Sequence, residues 1–366
     1  MSSRNARSGW SVSNALLVAV EVVLLTVLFM GGAQAQNSPA TSAADANSAK
    51  QQQERQITQP LNNQPVWSEV RSGAPQTTTV KGRETNVLIQ PEGQTWRTMR
   101  NSMVSVYAGW ALVIVFLAIV AFYLWKGTMR LHEPPTGRRI RRFTNWQMAI
   151  HWTTAWTFVA LAVTGLIMTF GKNILLPLIG YTLFSWLAIL AKNLHNFVGP
   201  LFVVTTIFMI FTFIRSNWPS KDDLTWLKRG GGLFGGTEPP SHRFNAGEKL
   251  VFWGGVLLLG SLVIGSGLFL DKLLPGFVYT RGEMQVAHMI HAVATLCMMA
   301  LIMGHIYIGT LGMKGAYSAM REGQVDETWA KEHHRLWYDD IVAGKIPAQR
   351  SAPAPVQDAR AEGSPS

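Results

Sequence analysis

The 366-residue chain holds a single cysteine, Cys297, and that residue lies within an apolar run. One thiol leaves no internal disulfide, no iron–sulfur cluster held by cysteines and no zinc knuckle. No C-x-x-C-H motif occurs, so covalent attachment of a haem is excluded as well. Charge is also scarce. Asp, Glu, Lys and Arg are 14% of residues, and the acids number 21 against 32 for Lys plus Arg. A net charge of +11 could suggest nucleic acid, but the basic residues cluster beside alternate apolar runs. Positive-inside bias explains that placement better, so the expected environment is a lipid bilayer and no nucleic-acid partner is expected.

What the chain does have is length of apolar sequence. Runs occupy 14–32, 107–125, 146–170, 194–214, 250–270 and 286–313, with about half of the 14 tryptophans near their ends. The first run comes after Arg4 and Arg7, contains an unusual Glu21, and precedes Ala33-Gln34-Ala35. Residues 1–35 therefore read as a signal peptide or N-terminal anchor, and either would export the segment beginning at Gln36. Residues 36–105 are rich in Gln, Ser, Thr, Asn, Ala and Pro without a sustained apolar period. They read as a polar periplasmic arm, largely unstructured, with Trp67, Val87-Leu88-Ile89 and Trp96 as candidate anchors on another subunit.

An extra transmembrane helix over 106–126 then crosses inward. Arg138, Arg139, Arg141 and Arg142 mark the next segment as cytoplasmic. A loop over 171–192 with few positive charges is expected in the periplasm. Residues 215–249, with Lys221, Lys228, Arg229 and Arg243, return to the cytoplasm. Residues 271–285 are expected outside, and everything after Lys314 inside, ending in a disordered tail over 347–366. This is the pattern of a multi-pass protein of a bacterial inner membrane.

The histidines give these spans a chemistry. His291 and His305 are fourteen residues apart in one apolar run. At ~100° and ~1.5 Å per residue they return to nearly one helix face, ~21 Å apart. His151, in NWQMAIHW, starts the first bundle helix from the cytoplasmic side, and His195, in NLHNFVGP, starts the second from the periplasmic side. Matching depths pair His195 with His291 outside and His151 with His305 inside. Each pair suits the iron of one b-type haem wedged between helices. One intramembrane histidine can be a merely packed residue, but four at two matched depths are hard to explain that way. The expected fold is an all-α membrane protein. A four-helix transmembrane dihaem bundle over 138–346 would come after the extra helix and the signal-like segment.

Other residues take their roles from that frame. His288, one turn before His291, reads as a neighbour rather than a ligand. Solvated or subunit-interface roles suit His132, His333 and His334. Gly165, Gly199 and Gly267 are places where a helix or a flat macrocycle could come close to the backbone. Arg141 and Arg142, less than three turns before His151, are candidate partners for haem propionates. In the segment SHRFNAGEK at 241–249, Asn245 offers an amide donor and Gly247 allows close approach, near where His305 should emerge. That corner is a candidate quinone site with His305 adjacent, although helix N-capping by Asn245 is the plainer reading.

Taken together, these residues resemble the cytochrome b (gamma) subunit of membrane-bound respiratory formate dehydrogenase, in the dihaem cytochrome b561 and nickel-hydrogenase-type membrane family. The resemblance runs from about 141 to 346. It is carried by HW at 151–152, LH-x-F-x-G at 194–199, NWPSKDDLTWL at 217–227, FNAGEK at 244–249, IHA at 290–292, HIY at 305–307 and WAKEHHRLWYDD at 329–340. It implies two haems b, ligated by His151 with His305 and by His195 with His291, and ubiquinone or menaquinone as acceptor at Asn245, Gly247 and His305. It also implies an iron–sulfur beta subunit and a molybdenum or tungsten catalytic alpha subunit facing the periplasm. The chain would then not act on formate itself but would reduce the quinone. The signal-like run, the arm and the extra helix have no counterpart in the compact members. Two alternatives remain: the cytochrome b subunit of a membrane nickel–iron hydrogenase, and a haem-free membrane anchor.

Overall fold

The computed structural model describes residues 92–232 and 238–346, together with 54, 57–59, 67–68 and 71–72. The signal-like segment 1–35, Val87-Leu88-Ile89 with much of the arm, and the tail 347–366 lie outside the described residues. Five helices are long and apolar enough to cross a membrane. They are α1 (Gly93–Lys126), α2 (Asn145–Ile174), α3 (Leu176–Phe213) and, after the short α4 (Lys221–Lys228), α5 (Ala246–Leu270) and α6 (Arg281–Gly312). Beyond them come α7 (Ala316–Glu322), α8 (Glu327–His333) and α9 (Arg335–Val342). Strands β1 (Arg139–Arg141) and β2 (Gln324–Asp326) form a small antiparallel ladder.

Local chemistry sets the starts of these helices. Thr144 and Gln147 close a reciprocal capping box at the start of α2, at 3.2 and 3.1 Å, satisfying two backbone donors that a helix start leaves open. Asn245 and Glu248 do the same for α5. The stretch Gly109–Lys126 of α1 buries no residue, and Trp110, Ile114, Phe116, Leu117 and Leu124 are exposed. An apolar surface of that extent is stable against lipid rather than water. The protein is an all-α membrane protein.

Two expectations need correction. The extra helix begins at Gly93 rather than near 106, so Trp96 belongs to a helix and not to an unstructured arm. The loop expected over 171–192 is helical: α2 continues to Ile174 and α3 starts at Leu176. Pro177 sits in the first turn of α3, where its missing N–H costs nothing, and the single non-helical residue inside is Gly180 at φ 75°. Few charges meant a long helical hairpin here, not a loop.

The chain separates into two compact units. One holds Leu112–Gly260 and 297–346. Within it α2 and α3 pack antiparallel, with Phe158 against Phe202 and Trp146 against Phe208 at ring separations of 6.3 and 6.0 Å. A cap closes the start of α2. Its core contains Ile140, Phe143, Phe213, Phe244, Val325, Trp329, Trp337 and Ile341. The other unit holds 92–111 and Ser261–Leu296. Phe269 and Ala287 form its buried centre, with Phe277 and Tyr279 against Phe269.

Candidate haem and quinone sites

His151, in the second turn of α2, and His305, near the end of α6, come together with ring centres 6.2 Å apart. Two metal–imidazole bonds of ~2.0–2.1 Å, plus the nitrogen-to-centre distance of each ring, span about 6 Å. The observed separation therefore suits one iron between the two rings. His151 Nδ1 is buried with no hydrogen-bond partner among the described residues, an expensive arrangement unless the ring has other work. Among the described residues no group of three or more His, Cys, Asp and Glu could hold a bare metal ion. Paired imidazoles suit an iron whose other four positions a macrocycle fills.

His195 lies in the interior of α3 rather than at its start, because the helix extends back past Lys192 to the kink at Gly180. Its depth is set by its neighbour on α2. A Cβ on Gly165 would lie 3.5 Å from His195 Cε1. Gly165 comes fourteen residues after His151 on the same helix, ~21 Å at 1.5 Å per residue, which is also the spacing from His291 to His305. Thr164 Oγ1 stands 2.8 Å from His195 Nδ1. In the other unit His291 sits in a matching cradle: Ser266 Oγ at 3.1 Å and the Val263 carbonyl at 3.0 Å from Nδ1. A Cβ on Gly267 would come within 3.2 Å of His291 Cε1. Gly199, by contrast, faces nothing within 4 Å. Thr164 and Ser266 were not singled out from sequence, although each directly precedes a glycine that was.

His288 packs edge-on against Trp96 at 5.7 Å, away from any such cradle. His132 is exposed and bonds Glu332, as expected of a solvated residue. His333 and His334 are not solvated. His334 is 1% exposed and bonds the His242 carbonyl at 2.7 Å; burial, then the Arg142 guanidinium, push its pKa down to about 3. His333 bonds Glu238 at 2.6 Å. Their place in α8 and at the start of α9, beside Trp329, folds the tail into the cap.

Arg142 is buried at 5% exposure, flanked by Phe143, Phe244 and Trp329. It donates to Glu248 at 2.9 Å and to the Arg243 carbonyl at 2.7 Å, and Arg243 donates back to the Arg142 carbonyl. Burial, with Arg142 alongside, lowers the Arg243 pKa to about 10. Arg141, Arg142 and Arg243 border a cleft of 720 Å³ with Trp337 and Ile341. Asn245 does cap α5: its Oδ1 accepts from Glu248 N at 2.9 Å, and its Nδ2 donates to Glu238 at 3.2 Å. Glu238 also takes the Trp226 indole N–H at 3.1 Å. A Cβ on Gly247 would meet Trp226 Cη2 at 2.9 Å, so glycine is what lets that ring lie there. Glu238 carries no sequence signal, because an isolated loop residue has no period or motif, and Trp226 lies in the motif at 217–227 without any sign of what it packs against.

Comparison with known proteins gives the family. Residues 142–323 match the family described as prokaryotic cytochrome b561. The cytochrome b556(fdo) subunit of formate dehydrogenase from Escherichia coli K12 is 33% identical over 204 residues, covering 55% of this chain and 93% of that one. The nitrate-inducible cytochrome b556(Fdn) subunit of the same organism is 27% identical over 202 residues, covering 53% and 87%. The corresponding subunit from Haemophilus influenzae is 26% identical over 172 residues, covering 44% and 71%. The chain belongs to the prokaryotic cytochrome b561 family, among the formate dehydrogenase cytochrome b subunits, and is a haem b-binding membrane subunit for electron transfer.

Proposed function

We propose that the chain anchors a respiratory formate dehydrogenase to the bacterial inner membrane and connects it to the quinone pool. Electrons from a molybdenum or tungsten alpha subunit would reach it through an iron–sulfur beta subunit on the periplasmic side. Two haems b, when bound, supply one-electron carriers at two depths. His195 and His291 hold the periplasmic-side haem, and His151 and His305 the cytoplasmic-side one. The observation that carries this reading is the repeated fourteen-residue interval, from His151 to the glycine facing His195 and from His291 to His305.

Arg141 and Arg142 offer positive charge to propionates at the cytoplasmic end. Asn245 has one amide hydrogen beyond the one given to Glu238, and that hydrogen is available to a carbonyl of ubiquinone or menaquinone. Gly247 lets the Trp226 ring lie against the backbone as a wall for the head group, and His305 completes the proposed corner. With the N-terminal arm periplasmic and the C-terminus cytoplasmic, electrons move inward against the potential at ~2.3 kcal/mol per charge per 100 mV, so turnover stores energy.

The test is isolation of the assembly in mild detergent, identification of its subunits, and haem quantification. Two non-covalent haems per chain, both reducible by formate, are expected. Asn245→Ala should block quinone reduction and leave both haems reducible. One haem per chain, or a hydrogenase as the co-purifying enzyme, overturns the proposal.

A further inference from the structure

Two hydroxyl–glycine pairs, Thr164-Gly165 and Ser266-Gly267, face His195 and His291 in the same way, although they lie on different helices in different units. Thr164 Oγ1 is 2.8 Å from the Ala160 carbonyl and 3.1 Å from that of Leu161. Ser266 Oγ repeats this with the carbonyls of Leu262 and Val263. In each case the hydroxyl donates into its own helix and keeps lone pairs for the imidazole. His291 Nδ1 also meets the Val263 carbonyl at 3.0 Å, and His195 is bonded to the carbonyl of Leu161, the equivalent position. A carbonyl can only accept, so Nδ1 carries the proton in both rings. Nε2 is then the nitrogen that meets an iron. The glycine one residue on faces Cε1 in both: a Cβ on Gly267 would press on it at 3.2 Å, and one on Gly165 would reach ordinary contact at 3.5 Å.

We infer that Thr164 and Ser266 are positioning residues: with the tautomer fixed by the Leu161 and Val263 carbonyls, each hydroxyl adds a second acceptor to Nδ1–H, holds the orientation of His195 or His291, and lowers the reduction potential of the haem these histidines hold. An imidazole that donates through Nδ1 is a more basic ligand, and a more basic ligand favours ferric over ferrous iron. His151 has the opposite surroundings, because its buried Nδ1 finds no acceptor among the described residues. The difference sets the potential of the His195/His291 haem below that of the His151/His305 haem. Electrons entering at the former then run downhill to the latter. This inference rests on the bis-histidine haem assignment proposed above.

The test is optical redox titration, with electron paramagnetic resonance of the low-spin ferric signals, on the intact complex. Thr164→Val and Ser266→Ala should each raise one midpoint potential and shift one ferric signal, the same one in both, leaving the other unmoved. The double variant should raise it further. Thr164→Ser and Ser266→Thr, which keep the hydroxyl, should restore the parent values. Loss of that haem from the Val and Ala variants, with retention in the hydroxyl-keeping ones, also supports the role. Unchanged potentials with both haems bound overturn it, and so does loss of haem from hydroxyl-keeping and hydroxyl-lacking variants alike. His195→Ala and His291→Ala separate ligation from positioning. If either leaves two haems bound, the ligand assignment has failed rather than the positioning role.

Discussion

The spans and the cap of the Leu112–Gly260 unit bury polar groups by different rules. In α2 and α3 the buried threonines, Thr206 excepted, satisfy themselves locally: Thr154 and Thr157 bond carbonyls of their own helix and meet Thr205 across the pair. The cap instead buries full charges and pairs them over long sequence distances, Arg142 with Glu248 and Lys249 with Asp223. A hydroxyl that loses its neighbour still has its own helix. A buried guanidinium that loses its carboxylate keeps only the neutral Arg243 carbonyl and no counter-charge, so the cap is the part of the molecule that single substitutions should break.

Four changes sharpen that contrast. Glu248→Ala strands Arg142, whose side chain is 4% exposed, and should cost about 3–5 kcal/mol, toward the lower value because Glu248 itself is 32% exposed. Thermal unfolding and protease sensitivity of residues 313–346 would show it, and an unchanged melting profile would mean the pair contributes nothing. Gly323→Ala should cost about 1–3 kcal/mol. Gly323 sits at φ 74°, and an added Cβ would meet the Phe143 carbonyl oxygen at 2.7 Å. The same melting experiment measures it.

Acid should attack the cap through His334. Its pKa is about 3 in the fold, against 6.5 when exposed, so below pH 6.5 the unfolded chain takes up a proton that the folded chain refuses. Stability from this group is complete above pH 6.5 and falls by about 1.4 kcal/mol per pH unit as pH drops toward 3. Urea or thermal midpoints measured over pH 6.5–5 should flatten in His334→Gln, and an equal slope in both proteins would count against it. The smallest effect is expected in the spans. Thr157→Val should cost only about 0.6 kcal/mol, the usual scale for a hydrogen bond between membrane helices. A loss as large as that of Glu248→Ala would erase the distinction between the two regions.

The reach of sequence reasoning divides along the same line. Spans could be recognised because lipid demands long apolar stretches whatever packs beside them, and His291 and His305 share a face because helical period alone requires it. The Asn245 cap was legible too, since N-A-G-E carries a capping box within four residues. The charge-poor stretch before His195 reads as a loop with His195 at a helix start, whereas beyond the kink at Gly180 the helix runs without a break through His195. His333 and His334 looked like polar tail residues. Their burial depends on Glu238, Ser241 and the His242 carbonyl, about 92–95 residues away.

The sequence by itself determined the membrane class, the fourteen-residue histidine interval and the family motifs, because each is a local pattern whose meaning is set by helix geometry and the thickness of a bilayer. Tertiary structure alone decided which groups hold the imidazoles and the arginines. Thr164 reaches His195 across 31 residues and Arg142 reaches Glu248 across 106. Contacts at such separation depend on how helices are packed, and no periodicity along the chain encodes which hydroxyl or carboxylate will stand opposite a given ring.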